Sequence, residues 1–213
     1  MSSSSSSSSV SHRRPVIVLG ALITALLLLA LAVQQWAVPA SGATGDVVAQ
    51  GSASGASEAD GFIADGDSVG VFDAHLPAVA NLDPALADAL QRAATDALAD
   101  GVEVRVNSGW RSPDYQALLL RNAVAERGAE EAARWVAEPS ASEHVTGEAV
   151  DLGPWPALDW LAQFGADYGL CQIYQNEPWH YELRADAAHS GCPEMFSDPT
   201  TDPRMRTMQA CVC

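Results

Sequence analysis

The sequence predicts an α+β domain in the C-terminal two thirds of the chain. Segments with helical periodicity and short segments of alternating apolar residues occur there in mixed order. Two apolar segments, "CQIYQ" and "WHYELR", are separated only by "NEP", which is typical of an antiparallel hairpin. The folded pattern starts near residue 69 and leaves room for one ordinary domain of roughly 130 residues. Mixed order with short antiparallel strands indicates the α+β class, with a small central sheet and flanking helices.

The first predicted helix follows Asp83, which can cap it, and has Pro84 in its first turn. Leu86, Leu90 and Ala97 lie on one face of this helix and form part of the predicted core. The next segment, "VEVRVNS", alternates valines with polar residues, which predicts a half-buried strand over residues 102–107.

The remaining elements follow at short intervals. "GWRSPD" predicts a turn, and a helix should start at Ser112 or Pro113 and run to about Glu126. A second short helix is expected around residues 130–136, followed by the loop "EPSASEH" and the short strand "GEAVDLG". "WPALDWLAQFGADYG" predicts a helix that ends at Gly169, and the hairpin completes the domain.

The N-terminal part has a different character. Eight serines, Ser2 to Ser9, precede two arginines and an uncharged apolar run from Val16 to Val33, which is just long enough to cross a bilayer as a helix. Arginines before this run and none soon after it predict a cytoplasmic N-terminus and an extracytoplasmic domain. Small residues near Ala40 and Ala43 leave open a cleaved signal segment and a secreted product.

The predicted domain organisation therefore has five parts. They are a disordered cytoplasmic tail (1–14), a transmembrane anchor or signal segment (15–36), a flexible linker (37–68), the folded domain (69–195) and a loosely structured, cysteine-containing C-terminal tail (196–213).

Charge and cysteine content limit the partners and the compartment. The formal net charge is −16, so nucleic acid and anionic lipid surfaces are excluded as partners. Cys171, Cys192, Cys211 and Cys213 all lie on the predicted exported side, where disulfides form. A Cys171–Cys192 bridge is favoured, and a zinc site made of all four cysteines is the competing interpretation. The sequence leaves the oligomeric state open.

The stretch "SEHVTGEAVDL" holds the first candidate site residues, His144 and Asp151. On one helix these residues would lie about 10 Å apart, too far to share a small ion, and Gly147 argues against an uninterrupted helix. Either the two are unrelated surface groups, or a turn into a strand brings them together. "NEPWHYEL" adds Glu177 and His180, whose odd spacing gives them different orientations in an extended segment.

These residues together predict a catalytic metal site. His144, Asp151 and His180 would bind a zinc ion (Zn2+) and leave one position open, as catalytic zinc sites do. Glu177 would act as the general base on a metal-activated water. Arg111, in "SGWRSPDYQ", would polarise the scissile carbonyl and stabilise the oxyanion.

The three segments "SGWRSPDYQ", "SEHVTGEAVDL" and "NEPWHYEL", in this order, resemble the D-alanyl-D-alanine carboxypeptidase family of zinc peptidases (VanY type). The resemblance covers roughly residues 75–185. It implies a Hedgehog/D,D-peptidase-like fold and removal of the terminal D-alanine from peptidoglycan stem peptides. It also implies that Ser142 and Arg111 contact the D-Ala-D-Ala end of the substrate and that Gln116 and Trp179 shape the pocket.

Two alternatives remain at this point. Another peptidoglycan peptidase of the same fold, namely an L,D-carboxypeptidase, a D,D-dipeptidase or an endopeptidase, would use the same hydrolytic residues. A non-catalytic, zinc-stabilised wall-binding module would need the metal ligands but would have no use for Glu177.

Overall fold

Five short antiparallel strands form the centre of the structure. The computed structural model describes residues 55–207, with side chains up to residue 205. The strands are β1 (Val69–Gly70), β2 (Arg105–Ser108), β3 (Ala149–Gly153), β4 (Leu170–Gln172) and β5 (His180–Leu183). They lie in the order β1-β2-β3-β5-β4, and every neighbouring pair is antiparallel. The α+β class and the central antiparallel sheet are confirmed.

Helices flank this sheet, and the two longest begin at the predicted caps. They are α1 (Pro77–Ala80), α2 (Pro84–Ala99), α3 (Pro113–Arg127), α4 (Ala129–Ala132), α5 (Glu143–Thr146), α6 (Trp155–Phe164), α7 (Ala187–Ser190) and α8 (Pro203–Thr207). The Asp83 carboxylate accepts hydrogen bonds from the first amides of α2, and the Ser112 hydroxyl does the same for α3. Side-chain caps of this kind satisfy amide groups that have no partner within the helix.

The main core lies between the sheet and the apolar faces of α2 and α6. Leu86 and Leu90 of α2 are fully buried and belong to the same cluster as Val150 and Leu152 of β3. Because side chains alternate along a strand, Val150 and Leu152 point into this core while Asp151 between them points to the opposite face. The core therefore fixes the direction in which Asp151 projects.

Several elements differ from their predicted bounds; the second short helix, expected around residues 130–136, is α4 (Ala129–Ala132). β2 starts at Arg105 rather than at residue 102, since its partner β3 ends at Gly153 and is followed by a proline without an amide hydrogen. The predicted helix ending at Gly169 is α6 followed by a 3-10 turn over Gly165–Tyr168. The predicted loop before β3 contains α5, a single turn of helix that ends at Gly147.

The folded part extends beyond the predicted boundaries on both sides. Within the expected linker, Asp60 accepts a hydrogen bond from the Ser112 hydroxyl, and Phe62 packs edge-on against Tyr115. After the predicted domain, Phe196 pairs with Tyr174 beside the sheet. Residues 196–207 thus belong to the fold, although the sequence predicted a loose tail. Ionic contacts hold much of this segment, and such contacts produce no apolar periodicity that a sequence could show.

The predicted Cys171–Cys192 disulfide is present, which excludes a zinc site formed by all four cysteines. The serine-rich tail, the predicted transmembrane segment, Cys211 and Cys213 lie outside the described residues. Within residues 55–207, no helix is both long enough and apolar enough to span a bilayer.

Candidate active site

The register of the sheet brings three site residues into one row. Ser108 of β2 lies opposite Asp151 of β3, and Asp151 lies opposite His180 of β5. Residues directly opposite each other in antiparallel strands project from the same face. His144 approaches this face from α5, whose end at Gly147 turns the chain into β3.

Gly147 makes that turn possible. Its φ is 81°, a left-handed conformation that glycine adopts without strain, and a Cβ at this position would lie 2.3 Å from the Asn81 carbonyl oxygen. The turn therefore allows His144 and Asp151, seven residues apart, to approach one another, which is the second of the two alternatives that their spacing left open.

Three ligand atoms of this cluster are spaced as a metal ion requires. His144 Nε2 and His180 Nδ1 are 3.3 Å apart, and Asp151 Oδ1 is 3.4 Å from each of them. Ligands bound at about 2.0 to 2.1 Å in a tetrahedral arrangement lie about 3.3 Å from one another. Asp151 Oδ1 is buried and has no hydrogen-bond partner among the described residues. The cluster therefore fits a divalent metal ion.

The second polar atom of each ligand is held by the protein. His144 Nδ1 lies 2.8 Å from the Gly109 carbonyl oxygen, and His180 Nε2 lies 3.2 Å from Glu182 Oε1. These acceptors place the proton on the outer nitrogen of each ring and leave the inner nitrogen free for a metal. Asp151 Oδ2 accepts a hydrogen bond of 2.6 Å from Arg111 Nη2.

The electrostatics of the ligands favour a cation. Burial alone would raise the pKa of Asp151, but His144, His180 and Arg111 hold this pKa well below its usual range. Burial lowers the pKa of His180, yet the neighbouring carboxylates of Asp151 and Glu182 outweigh burial and raise this pKa to about 9. In the metal-free protein, a proton and a metal ion therefore compete for the inner nitrogen of His180.

Glu177 stands beside the cluster without belonging to it. It lies on the turn before β5, and its Oε2 is 3.8 Å from His180 Nδ1. Its Oε1 is buried and has no partner among the described residues. Burial raises the pKa of Glu177 to about 7. A carboxyl group with this pKa, next to three converging ligand atoms, is suited to exchange protons near neutral pH.

Arg111 is fixed by three side chains at once. Its Nε donates to Ser108 Oγ at 2.8 Å, its Nη1 to Gln116 Oε1 at 3.2 Å and its Nη2 to Asp151 Oδ2. Its backbone amide donates to the His144 carbonyl oxygen, which ties the arginine loop to α5. These contacts use three of the five guanidinium N–H groups, so two remain for a substrate.

The residues predicted to bind substrate line the same cleft, which has a volume of about 800 Å³. Ser142 is buried at the N-cap position of α5, and its hydroxyl does not cap that helix. Gln116 is 1% exposed, and its amide joins Arg111 to the Ala137 carbonyl oxygen. Trp179 is half-buried and also packs against the main core. The structure brings all eight predicted site residues to one cleft; their roles toward substrate stay predictions.

A family model supports this constellation. The model for VanY, described as D-alanyl-D-alanine carboxypeptidase, matches residues 79–186, which include all eight predicted site residues. The chain belongs to the VanY D-alanyl-D-alanine carboxypeptidase family. The suspected family relationship is thereby confirmed.

Curated members of the family are related over part of their length. The chain is 31% identical to a D-alanyl-D-alanine carboxypeptidase of Enterococcus faecalis (strain ATCC 700802 / V583) over 139 aligned residues, with 52% of each chain covered. It is 31% identical to the putative carboxypeptidase YodJ of Bacillus subtilis (strain 168) over 117 residues, covering 44% of this chain and 43% of that protein. The chain therefore spans about half the length, or less, of these relatives.

Several solved structures resemble part of the chain. VanYB in complex with D-alanine-D-alanine has a TM-score of 0.48 and 28% identity, covering 52% of this chain and 78% of that chain. A mutant VanY D,D-pentapeptidase from a VanB-type resistance cassette, in complex with Zn(II), has a TM-score of 0.45 and 30% identity, covering 48% and 72%. The L,D-carboxypeptidase LdcB has a TM-score of 0.44 and 28% identity, covering 48% and 58%.

Several residues that support the site were not predicted from the sequence. Glu182, which faces the outer nitrogen of His180, is two residues further along the same strand. The two-residue period of a strand places both side chains on one face, so this signal was available in the sequence. Tyr174, whose ring lies 5.0 Å from the His180 ring, and Arg204, which binds Glu182, had no such local signal.

Proposed function

We propose that this chain is a zinc-dependent D-alanyl-D-alanine carboxypeptidase that removes the terminal D-alanine from peptidoglycan stem peptides. The observation that carries this proposal is the convergence of three buried ligand atoms, 3.3 to 3.4 Å apart, beside a partnerless glutamate oxygen. Family membership supports the substrate class, because the matching model and the Enterococcus faecalis relative both carry this activity in their descriptions.

His144, Asp151 and His180 would hold the zinc ion. When bound, zinc acts as a Lewis acid and lowers the pKa of water to about 7. Two histidine nitrogens and one carboxylate oxygen form a donor set typical of zinc, and three protein ligands leave a position open for catalysis. A closed structural site would need a fourth protein ligand.

Glu177 would carry the proton transfers. Its carboxylate would take a proton from the attacking water and deliver it to the nitrogen of the leaving D-alanine. The nitrogen then leaves as a neutral amine when the peptide bond breaks. Burial raises the pKa of Glu177 to about 7 in the metal-free protein, and the positive charge of a bound metal ion would lower this pKa, which favours the ionised form that must first act as the base.

Arg111 would orient the peptide end. Its guanidinium is held by Ser108, Gln116 and Asp151 and therefore presents its two remaining N–H groups in a fixed direction. A preorganised donor pair of this kind stabilises negative charge on a carbonyl oxygen or binds a terminal carboxylate. Ser142, with a hydroxyl that does not cap α5, lines the same cleft and would donate to the substrate.

The test is release of D-alanine from a pentapeptide stem ending in D-Ala-D-Ala. We expect release that stops with a chelator and returns with added zinc. A tetrapeptide ending in an L-D bond, and a cross-linked dimer, presented in the same assay separate the L,D-carboxypeptidase and endopeptidase alternatives. Zinc binding without hydrolysis of any of these substrates would favour the wall-binding module and refute the proposal.

We also propose that the domain acts outside the cytoplasm, tethered by the apolar segment from Val16 to Val33 or released if that segment is cleaved. The Cys171–Cys192 disulfide supports export, because such bonds persist in oxidising compartments. Fractionation of cells and N-terminal sequencing of the mature protein test this: a full-length cytosolic product would contradict it.

A further inference from the structure

The segment that follows the disulfide, residues 193–207, returns to the sheet and brings Arg204 to Glu182 and Glu143, the glutamates beside the two histidine ligands. Arg204 Nη1 donates to Glu182 Oε2 at 2.7 Å and to Glu143 Oε1 at 2.9 Å. Its Nη2 donates to Glu182 Oε1 at 3.1 Å. One guanidinium group therefore binds two carboxylates that belong to different elements, β5 and α5.

Both carboxylates are adjacent to a metal ligand. Glu182 accepts from the outer nitrogen of His180, and its side chain is 1% exposed. Glu143 directly precedes His144 in α5. By binding both glutamates, Arg204 connects the strand that carries one histidine ligand to the helix that carries the other.

The arginine is itself firmly held. Asp202, which is fully buried, accepts from Arg204 Nη2 at 2.6 Å and from the Tyr174 hydroxyl at 3.1 Å. The Tyr174 ring in turn packs against the His180 ring. Asp202 thus fixes the position of Arg204 and adds a second route from this segment to His180.

The segment is also anchored to the sheet upstream. The Cys171–Cys192 disulfide joins it to β4, and the Phe196 backbone exchanges hydrogen bonds with Ile173 and Gln175. Asp198 forms an ion pair with Arg134 at 3.2 Å. These attachments show that the segment carrying Arg204 is packed against the rest of the domain.

We propose that Arg204 is a positioning residue for the metal site, which through Glu182 holds the ring of His180 in the orientation that metal binding needs and through Glu143 ties α5, the helix of His144, to β5. The bidentate contact of the Arg204 guanidinium fixes the rotamer of the buried Glu182 side chain. The Glu182 carboxylate in turn fixes the orientation of the His180 ring, which donates a hydrogen bond to it. Arg184 also binds Glu182, but through one oxygen, and it does not reach across to α5 in the contacts described.

The inference rests on the proposed metal site and can be tested without turnover. In the full chain, Arg204→Ala and Arg204→Lys are compared with wild type for zinc affinity, measured by competition with a chromogenic chelator, and for the visible absorption spectrum of the cobalt-substituted protein. We expect Arg204→Ala to lower zinc affinity by about 10- to 100-fold, the usual effect of losing a residue that orients a ligand, and to change the cobalt spectrum at saturating metal. Arg204→Lys should recover part of the zinc affinity, since lysine restores the positive charge but cannot form the bidentate contact with Glu182.

Two controls separate positioning from general stability. Arg92→Ala removes an exposed arginine that pairs with Asp88 on α2, far along the chain from the site, and should change neither readout. Glu182→Gln should reduce zinc affinity by itself, and adding Arg204→Ala to it should cost much less than in wild type if both act through the same ring.

Unchanged zinc affinity and cobalt spectrum in folded Arg204→Ala would overturn the inference. If the losses of zinc affinity in Arg204→Ala and Glu182→Gln add fully in the double variant, Arg204 does not act on His180 through Glu182. If Arg204→Ala does not fold, an Arg204→Lys protein with wild-type affinity and spectrum would overturn it equally. Wild-type protein that binds zinc but hydrolyses no stem peptide would refute the proposed function and leave this inference standing, whereas a wild type without zinc affinity would refute both.

Discussion

Replacing Glu177 with glutamine should make the metal-free protein more stable relative to wild type as the pH rises from 5 to 8, and should lower the activity of the zinc-loaded enzyme. Glu177 is 7% exposed, and one of its oxygens is buried without a partner among the described residues. An ionised carboxylate in this position loses its hydration when the protein folds. Glutamine keeps the shape of the side chain and carries no charge at any pH, so the variant isolates the cost of the charge.

The size of the effect follows from the pKa of Glu177. Burial raises this pKa from its ordinary value of 4.5 to about 7 in the folded protein. The folded state therefore holds the proton more tightly than the unfolded state, and stability falls as pH rises between 4.5 and about 7. At about 1.36 kcal/mol for each pH unit of difference, the ionised group costs about 3 kcal/mol above pH 7 and nothing below pH 4.5. Glutamine brings a constant cost for its own buried amide, so the pH dependence of the difference is the decisive quantity.

The assay is urea unfolding followed by tryptophan fluorescence at pH 5, 6, 7 and 8, with chelator present and the disulfide intact. The free energy of unfolding of Glu177→Gln minus that of wild type should increase by about 2.5 kcal/mol from pH 5 to pH 8, because a small part of the cost is already present at pH 5. Glu130→Gln, on an exposed position of α4, is the matched control and should give a flat difference. A flat difference for Glu177→Gln as well would refute the reasoning. In the zinc-loaded enzyme the same substitution should lower kcat by about 10²- to 10⁴-fold, as expected for the loss of a general base.

Three further predictions concern the support of the site. Changing both Cys171 and Cys192 to serine should lower the free energy of unfolding by about 3 kcal/mol, because the bridge closes a loop of 21 residues, and an unchanged urea midpoint would contradict this. Gly147→Ala should lower the melting temperature and the zinc affinity together, since its Cβ would lie 2.3 Å from the Asn81 carbonyl oxygen in a left-handed turn beside His144; wild-type values for both would show that the turn tolerates a side chain. Leu86→Ala should cost about 2 to 5 kcal/mol in the same unfolding assay, because Leu86 is fully buried, but should leave the cobalt spectrum unchanged in the protein that remains folded.

Local patterns predicted the parts of this structure that depend on short stretches of sequence. The caps at Asp83 and Ser112 and the hairpin leading to His180 follow from residue types within a few positions of each other. Spacing alone indicated only that a turn must separate His144 from Asp151. The register that sets Asp151 opposite both Ser108 and His180 depends on pairing between distant strands, which no local pattern encodes.

The attachment of the C-terminal segment could not be predicted for a related reason. Arg204 and Asp202 act through ion pairs with Glu182 and Glu143, and a short charged segment has the same composition whether it is solvated or packed. The sequence showed no helical or strand periodicity there and so indicated a loose tail. Buried charges that are satisfied only by partners distant in sequence are the class of contact that hydrophobic periodicity does not reveal.

The arrangement of charge around the site explains why it needs both a cation and two arginines. Asp151, Glu177 and Glu182 are all buried on one side of the sheet, where each negative charge is costly unless it is paired. Arg111 binds the outer oxygen of Asp151, and Arg204 binds Glu182, so neither arginine occupies the space between the three ligand atoms. On the cleft side Asp151 Oδ1 and Glu177 Oε2 face the His180 ring, and a divalent ion held by the histidines would supply the positive charge that otherwise requires a proton on His180. The arginines therefore cannot replace the metal, and substituting either one should weaken metal binding without creating a stable metal-free site.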